Sequence, residues 1–285
     1  MLNKLTLLLL FCSFCISASA QKLPSYQLFT AKGKKVHYQK LIQKIQKADV
    51  VLFGELHNNA IAHWLQLEVA KSLNNTQQLS IGMEMLERDN QLAINRFLTS
   101  EINTKALDTV ARLWPNYDTD YAPIVAFAKS NNINIIASNI PRSYANLVYK
   151  GDFAALDTLS EKEKKWIAPL PIPFNANLTT YQNILKMMGE HGSPKLVKAQ
   201  AIKDATMAYS IIENLKPNAL FYHLNGSFHS DYHEGISWYL KHYKPEITIK
   251  TITTVTQKNL KKLDSEHLNK ADFILCVDED VTNTY

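Results

Sequence analysis

Six short apolar runs, most of them spaced far enough apart to admit a helix, constrain the architecture of this chain more than any other feature. They are Val50-Val51-Leu52-Phe53, Leu79-Ser80-Ile81-Gly82-Met83, Ile133-Asn134-Ile135-Ile136-Ala137, Ala219-Leu220-Phe221-Tyr222, residues 247–255 and Phe273-Ile274-Leu275-Cys276-Val277. Runs of this length and composition suit strands buried on both faces. Near residue 200 the period changes. Val197, Ala201, Ala205, Ala208, Ile212 and Leu215 recur at spacings of three and four, as one face of a helix requires. Strands alternating with helices imply βαβ units. The expected fold is therefore α/β, a mostly parallel central sheet flanked by helices. Residues 149–194 contain Pro169, Pro171 and Pro173 but no strand-like run, and read as a smaller helical domain or lid inserted in residues 21–285, with residues 87–115 as a second candidate for it.

The N-terminus has its own logic. Residues 1–20 place Lys4 before an apolar stretch from Leu5 to Ile16, then Ala18-Ser19-Ala20, the layout of a secretory signal peptide. The stretch is shorter than the roughly 20 residues of a membrane span. Bulky residues precede Cys12 and Cys15, so neither sits in a lipid-attachment motif. The expectation is an exported protein, periplasmic or associated with the cell envelope. Of 285 residues, 20 would be removed and 265 remain. Of three cysteines only Cys276 would stay, so the core must hold the fold without an intrachain disulfide. Lys plus Arg fall from 31 to 30 against 26 Asp plus Glu, a net of +4. With no dense basic block, nothing points to nucleic acid as a partner.

Two loops share one design. Val50-Val51-Leu52-Phe53 runs into Gly54-Glu55-Leu56-His57, and the strand from Ala219 runs into Gly226-Ser227-Phe228-His229. Glycine permits the sharp turn at a strand end, and the imidazole then projects from the loop. In parallel sheets ligands collect outside the carboxyl ends of the strands. A third strand ends in Met83-Glu84-Met85, which adds a carboxylate there. Two imidazoles with Glu84 could bind a divalent transition metal through His57, Glu84 and His229, leaving a position for water. Alternatively, Glu55, His57, Glu84 and His229 could serve as general acid and base without a metal.

Other residues are weaker candidates. Arg142, after Asn139-Ile140-Pro141, could reach the same crevice and clamp an anion. His63 suits either a helix surface or support of His57, and His223 suits the core. Gln200 and Asp204 share one helix face. Met187, Met188 and His191 offer soft ligands, and Trp114, Tyr117 and Tyr121 form an aromatic group beside Asp118 and Asp120.

Taken together, the chain resembles the ChaN family of haem-binding uptake proteins within the Tiki superfamily. The likeness rests on Gly54-Glu55-Leu56-His57 with His63, Met83-Glu84-Met85, Tyr121-Ala122-Pro123 with Phe127-Ala128, and Ala137-Ser138-Asn139-Ile140-Pro141-Arg142. Gln200, Asp204, Met207-Ala208 and Gly226-Ser227-Phe228-His229 complete it. The resemblance implies an exported haem-binding protein in iron uptake, with haem held in a pocket that can form between two protomers of a homodimer. It also implies cargo release to an outer-membrane uptake receptor. Tyr117 and Tyr121 are the leading choices for the iron ligand, and Arg142 for the propionates. The same resemblance implies a relation to metal-dependent peptidases and to esterases, hence the alternative of a metal-dependent hydrolase. Two departures stand out: the absent lipid-attachment motif, and the bulky Phe228 before His229.

Overall fold

In the computed structural model, which describes residues 23–285, seven strands form one sheet in the order β1-β7-β6-β2-β5-β3-β4. They are β1 (Tyr26–Thr30), β2 (Val50–Glu55), β3 (Gln78–Glu87), β4 (Asn134–Asn139), β5 (Ala219–Gly226), β6 (Ile249–Gln257) and β7 (Phe273–Asp278). Every pairing is parallel except β1 with β7. All six apolar runs became strands. The signal-peptide reading, with Cys12 and Cys15, lies outside the described residues. Among the described residues no helix is long and apolar enough to cross a membrane.

Side-chain alternation along the strands divides the interior in two. From β2, Val51 and Phe53 join one apolar cluster while Val50 and Leu52 join the other. From β5, Leu220, Tyr222 and Leu224 go to the first and Phe221 to the second, as a period of two demands. The first cluster is closed by α1 (Tyr38–Ile45), α2 (Ala60–Asn74), α3 (Gln91–Leu98), α4 (Thr104–Val110) and α5 (Ala122–Ser130). The second is closed by α6 (Arg142–Gly151), α8 (Pro194–Asn214) and α9 (Ile236–Tyr243). Both faces are thus covered, which explains why the strands read as continuous apolar runs.

Local sequence sets the helix starts that matter. Asn59 caps α2, its side chain accepting a hydrogen bond from the Ala62 amide at 2.9 Å, which ends the loop carrying His57. Ser193 caps α8 in the same way, with Pro194 in the first turn. Between β4 and β5 the chain makes no strand; α7 (Thr179–Met188) and several short 3₁₀ turns precede α8. After β1 the chain lays down β2, β3 and β4, then returns β5 between β2 and β3 and adds β6 on the far side of β2. The β2–β3 and β5–β6 crossovers therefore run in opposite directions across the sheet, and a crevice opens at the carboxyl ends of β2 and β5.

Candidate functional site

The carboxyl ends of four neighbouring strands, β2, β5, β3 and β4, deliver Glu55 and His57, Gly226 and His229, Glu84, and Asn139 to one cleft of about 800 Å³. Both Gly-x-x-His glycines are required by close approach. A Cβ on Gly54 would lie 2.9 Å from the Ser227 Cα, and one on Gly226 would lie 2.8 Å from His57 Nε2. The same point above Gly226 is 3.6 Å from Glu84 Oε2, so the His57 ring packs directly on the bare Gly226 backbone with the Glu84 carboxylate beside it. Glu84 arrives there through an irregularity in β3. Between Met83 and Glu87 that strand uses four residue steps where β4 uses two, from Ala137 to Asn139.

His57 is held from behind. Its Nδ1–H donates to Glu55 Oε1 at 2.8 Å, which leaves the lone pair of the neutral ring on Nε2, towards the cleft. Glu55 is buried and saturated: Tyr121 donates to Oε1 at 2.7 Å and Gln66 to Oε2 at 2.5 Å. The His57 carbonyl accepts from His63 Nε2 at 3.0 Å and from Asn116 at 3.3 Å. Trp114 packs edge-on against the imidazole with ring centroids 4.9 Å apart. Burial alone would lower the His57 pKa, but the hydrogen bond to Glu55 and the charges of Glu84 and Glu55 raise it on balance.

His229 is a different object. Its Nδ1 bonds Asp204 Oδ1 at 2.5 Å and its Nε2 bonds Glu84 Oε1 at 3.1 Å. Burial opposes the imidazolium, yet the two carboxylates outweigh it and push the pKa up to about 10. Glu84 is held ionised, far below the usual carboxylate range. Burial resists this, but the charge and hydrogen bond of His229, the nearby His57 and the Gly226 N–H at 2.6 Å prevail. Tyr181 closes the arrangement by donating to Asp204 Oδ2 at 2.8 Å. His229 is therefore a buried cation clamped between two anions.

The walls come from helices that each present one face. Arg142, Ala145, Asn146 and Tyr149 line the cleft from α6, Ile184, Met187 and Met188 from α7, and Leu196, Ala199, Gln200 and Lys203 from α8. These are i, i+3, i+4 and i+7 positions, the spacing of a single helical stripe. The lining mixes charged side chains with exposed apolar ones. Nine large apolar side chains stand out as exposed among the described residues; five of them, Tyr149, Met187, Met188, Phe228 and Tyr285, line this cleft. Neither Arg142 nor Lys203 takes part in an ion pair among the described residues.

The structure thus brings Glu55, His57, Glu84, His229 and Arg142 to one place. It does not bring Tyr117 or Tyr121 into the lining. Tyr121 is fully buried with its phenol committed to Glu55, and Tyr117 packs in the core, its pKa pushed up to about 12 by burial and Asp118. The phenols that do line the cleft belong to Tyr149 and Tyr285. His57, Glu84 and His229 share the cleft but not a ligand arrangement. Both His229 nitrogens and one Glu84 oxygen are spent on each other and on Asp204, and no group of three or more His, Cys, Asp or Glu side chains among the described residues is arranged to hold a metal ion. His63 supports the His57 loop, and His223 is a core residue bonded to Ser138 at 2.8 Å. Lys203, Tyr149 and Trp114 complete the lining. Nothing in the sequence marked Tyr149 and Lys203 as facing the cleft, and Trp114 reaches it from a loop.

Residues 41–240 match the family model described as haem-binding uptake, Tiki superfamily, ChaN. No curated protein matches the sequence. Among solved structures, ChaN of Campylobacter jejuni, described with cofacial haem binding, superposes with a TM-score of 0.67 at 19% identity, over 88% of this chain and 96% of that one. A Bacillus cereus protein reaches 0.50 at 12% identity, over 89% and 95%. The type III effector HopBA1 reaches 0.50 at 12%, over 84% and 92%. At these identities the likeness is one of fold.

Proposed function

The chain belongs to the ChaN family of haem-binding uptake proteins in the Tiki superfamily, and from that premise we propose that its cleft binds haem and that the protein is an exported carrier in iron uptake. One observation carries the reading: five of the nine exposed large apolar side chains among the described residues gather in a single cleft that also holds Arg142 and Lys203, neither of them ion-paired among the described residues. Exposed apolar surface of this kind marks a binding site. A flat apolar dianion suits it, with the macrocycle on Tyr149, Met187, Met188 and Phe228 and the propionates at Arg142 and Lys203. About 800 Å³ lies within the range of cofactor sites.

A phenolate oxygen is a hard donor for ferric iron. Tyr149 places one on the same face of α6 as Arg142, seven residues away. Bound haem would supply the iron centre; the chain's own contribution is to ligate it, seat it and neutralise its carboxylates. A second copy of this chain would cover the exposed apolar side chains of the cleft, as the cofacial binding described for the Campylobacter jejuni protein suggests. Export would follow from residues 1–20, and transfer to an outer-membrane receptor would follow from the carrier role.

Titration with haem followed by absorption spectroscopy tests the proposal. A saturable Soret shift is expected. Tyr149→Phe should change the band, whereas Tyr121→Phe should leave its position unaltered because that phenol points at Glu55. No shift at micromolar haem would overturn the reading.

A further inference from the structure

Beside the cleft lies a second, smaller cavity of about 220 Å³, and Leu56, Ser227 and Phe228 line both. The rest of its wall comes from the carboxyl end of β6 and from the segments that carry Asp231 and Lys270. These two charges are opposite in sign, yet they do not meet. Asp231 is buried, and its side chain accepts one hydrogen bond among the described residues, from Thr253 to Oδ1 at 2.5 Å. Lys270 takes part in no ion pair among the described residues and acts on the Asp231 carboxylate only from a distance.

The chain fixes both groups at the cavity. The Tyr232 N–H donates to the Lys270 carbonyl at 2.6 Å, which ties the two segments together. Tyr232 and His233 take φ of 60° and 59° there, a left-handed backbone that side chains disfavour. The wall is also short of hydrogen bonds. Thr254 Oγ1 and His267 Nδ1, on two of its residues, are buried without a partner among the described residues. Buried polar groups are paired in the great majority of cases, so such a wall suits a polar occupant better than simple packing.

We propose that this cavity is a second ligand site, which takes a free zwitterionic α-amino acid with an aliphatic side chain. The charges select the class. A buried carboxylate is costly unless a cation meets it, and the ligand's α-ammonium does so at Asp231. The α-carboxylate then meets Lys270. A simple amine would leave Lys270 unmatched, a simple carboxylate would bring a like charge to Asp231, and an uncharged polyol would neutralise neither. Leu56, Val255 and Phe228 receive the aliphatic part. The volume lies below the roughly 300–1,000 Å³ of sites for drug-sized ligands, a scale that admits one amino acid and excludes haem.

Isothermal titration calorimetry of the full chain without haem tests this with three probes. They are L-leucine, 3-methylbutylamine (leucine without its carboxylate) and 4-methylpentanoate (leucine without its ammonium). L-leucine should bind saturably, and each one-charge analogue should bind at least about tenfold more weakly for want of one charge-assisted contact. Lys270→Met should weaken L-leucine by a similar factor while its haem titration matches the wild type. That side chain is only partly buried and lacks an ion-pair partner among the described residues, so an unaltered melting temperature is the expected control. A folded Asp231→Asn protein should show the same loss. No binding at millimolar L-leucine would overturn the proposal. So would equal affinity for L-leucine and 3-methylbutylamine, or an L-leucine affinity unchanged in Lys270→Met. Haem affinity is read in a separate titration, so the two proposals fail independently.

Discussion

Replacing His229 with alanine is expected to lower the stability of the folded chain by about 3–5 kcal/mol, because it strands Glu84 and Asp204 as buried carboxylates without their shared cation. For a domain of this size that corresponds to a melting temperature lower by on the order of 10 °C. The pH dependence identifies the cause. The imidazolium is held in the fold up to about 10, against 6.5 for a free histidine, so its stabilisation is complete below 6.5 and declines as pH rises towards 10. Glu84 has the opposite sign. Its folded pKa is depressed, so its contribution is present above 4.5 and is lost as pH falls. The wild-type advantage over His229→Ala should therefore be greatest near pH 5–6.5 and shrink towards pH 10. Thermal melts of both proteins across that range measure it. A constant difference would mean that His229 acts by packing alone.

The second large effect concerns haem. Reversing both cleft cations in Arg142→Glu/Lys203→Glu should weaken haem binding at least about 100-fold. Each charge-assisted contact is worth about 1.5–3 kcal/mol, and 1.4 kcal/mol is tenfold in affinity. Both residues lie at the cleft wall and lack ion-pair partners among the described residues, so the fold should tolerate the change, with an unaltered melting temperature as the control. Higher salt should weaken the wild type in the same direction, since partly exposed charges are screened. Unchanged affinity in the double variant would remove the propionate assignment.

Much of the fold was legible because both faces of the sheet are covered. Strands such as Val50–Glu55 and Phe273–Asp278 then need apolar residues at nearly every position and announce themselves. The strand that went unread, Tyr26–Thr30, is the antiparallel edge, where Gln27 and Thr30 interrupt the run. The floor of the cleft was legible for a topological reason: residues just past the carboxyl ends of adjacent parallel strands converge whatever their sequence separation. That logic found His57, Glu84 and His229. It could not show that His229 would be clamped by Asp204, which comes from α8 on the far side of the cleft.

The tyrosines show the opposite limit. Around Asp118 and Asp120 the chain makes a single wide helical turn, Tyr117–Tyr121, before α5. Its side chains do not follow the 3.6-residue period, and Tyr121 turns inward to the Glu55 carboxylate rather than outward to a ligand. Aromatic composition marked that region, but orientation decided its use. By contrast, Arg142 and Tyr149 sit at i and i+7 of an ordinary helix, so the site of one fixes the face of the other.

The haem-binding reading meets its most direct test in a crystal structure of the protein grown with haem. The account predicts electron density for the macrocycle against Tyr149, Met187, Met188 and Phe228, with the propionates at Arg142 and Lys203 and the iron at a cleft phenol. Haem bound elsewhere on the molecule, or an empty cleft in crystals grown with saturating haem, would contradict it.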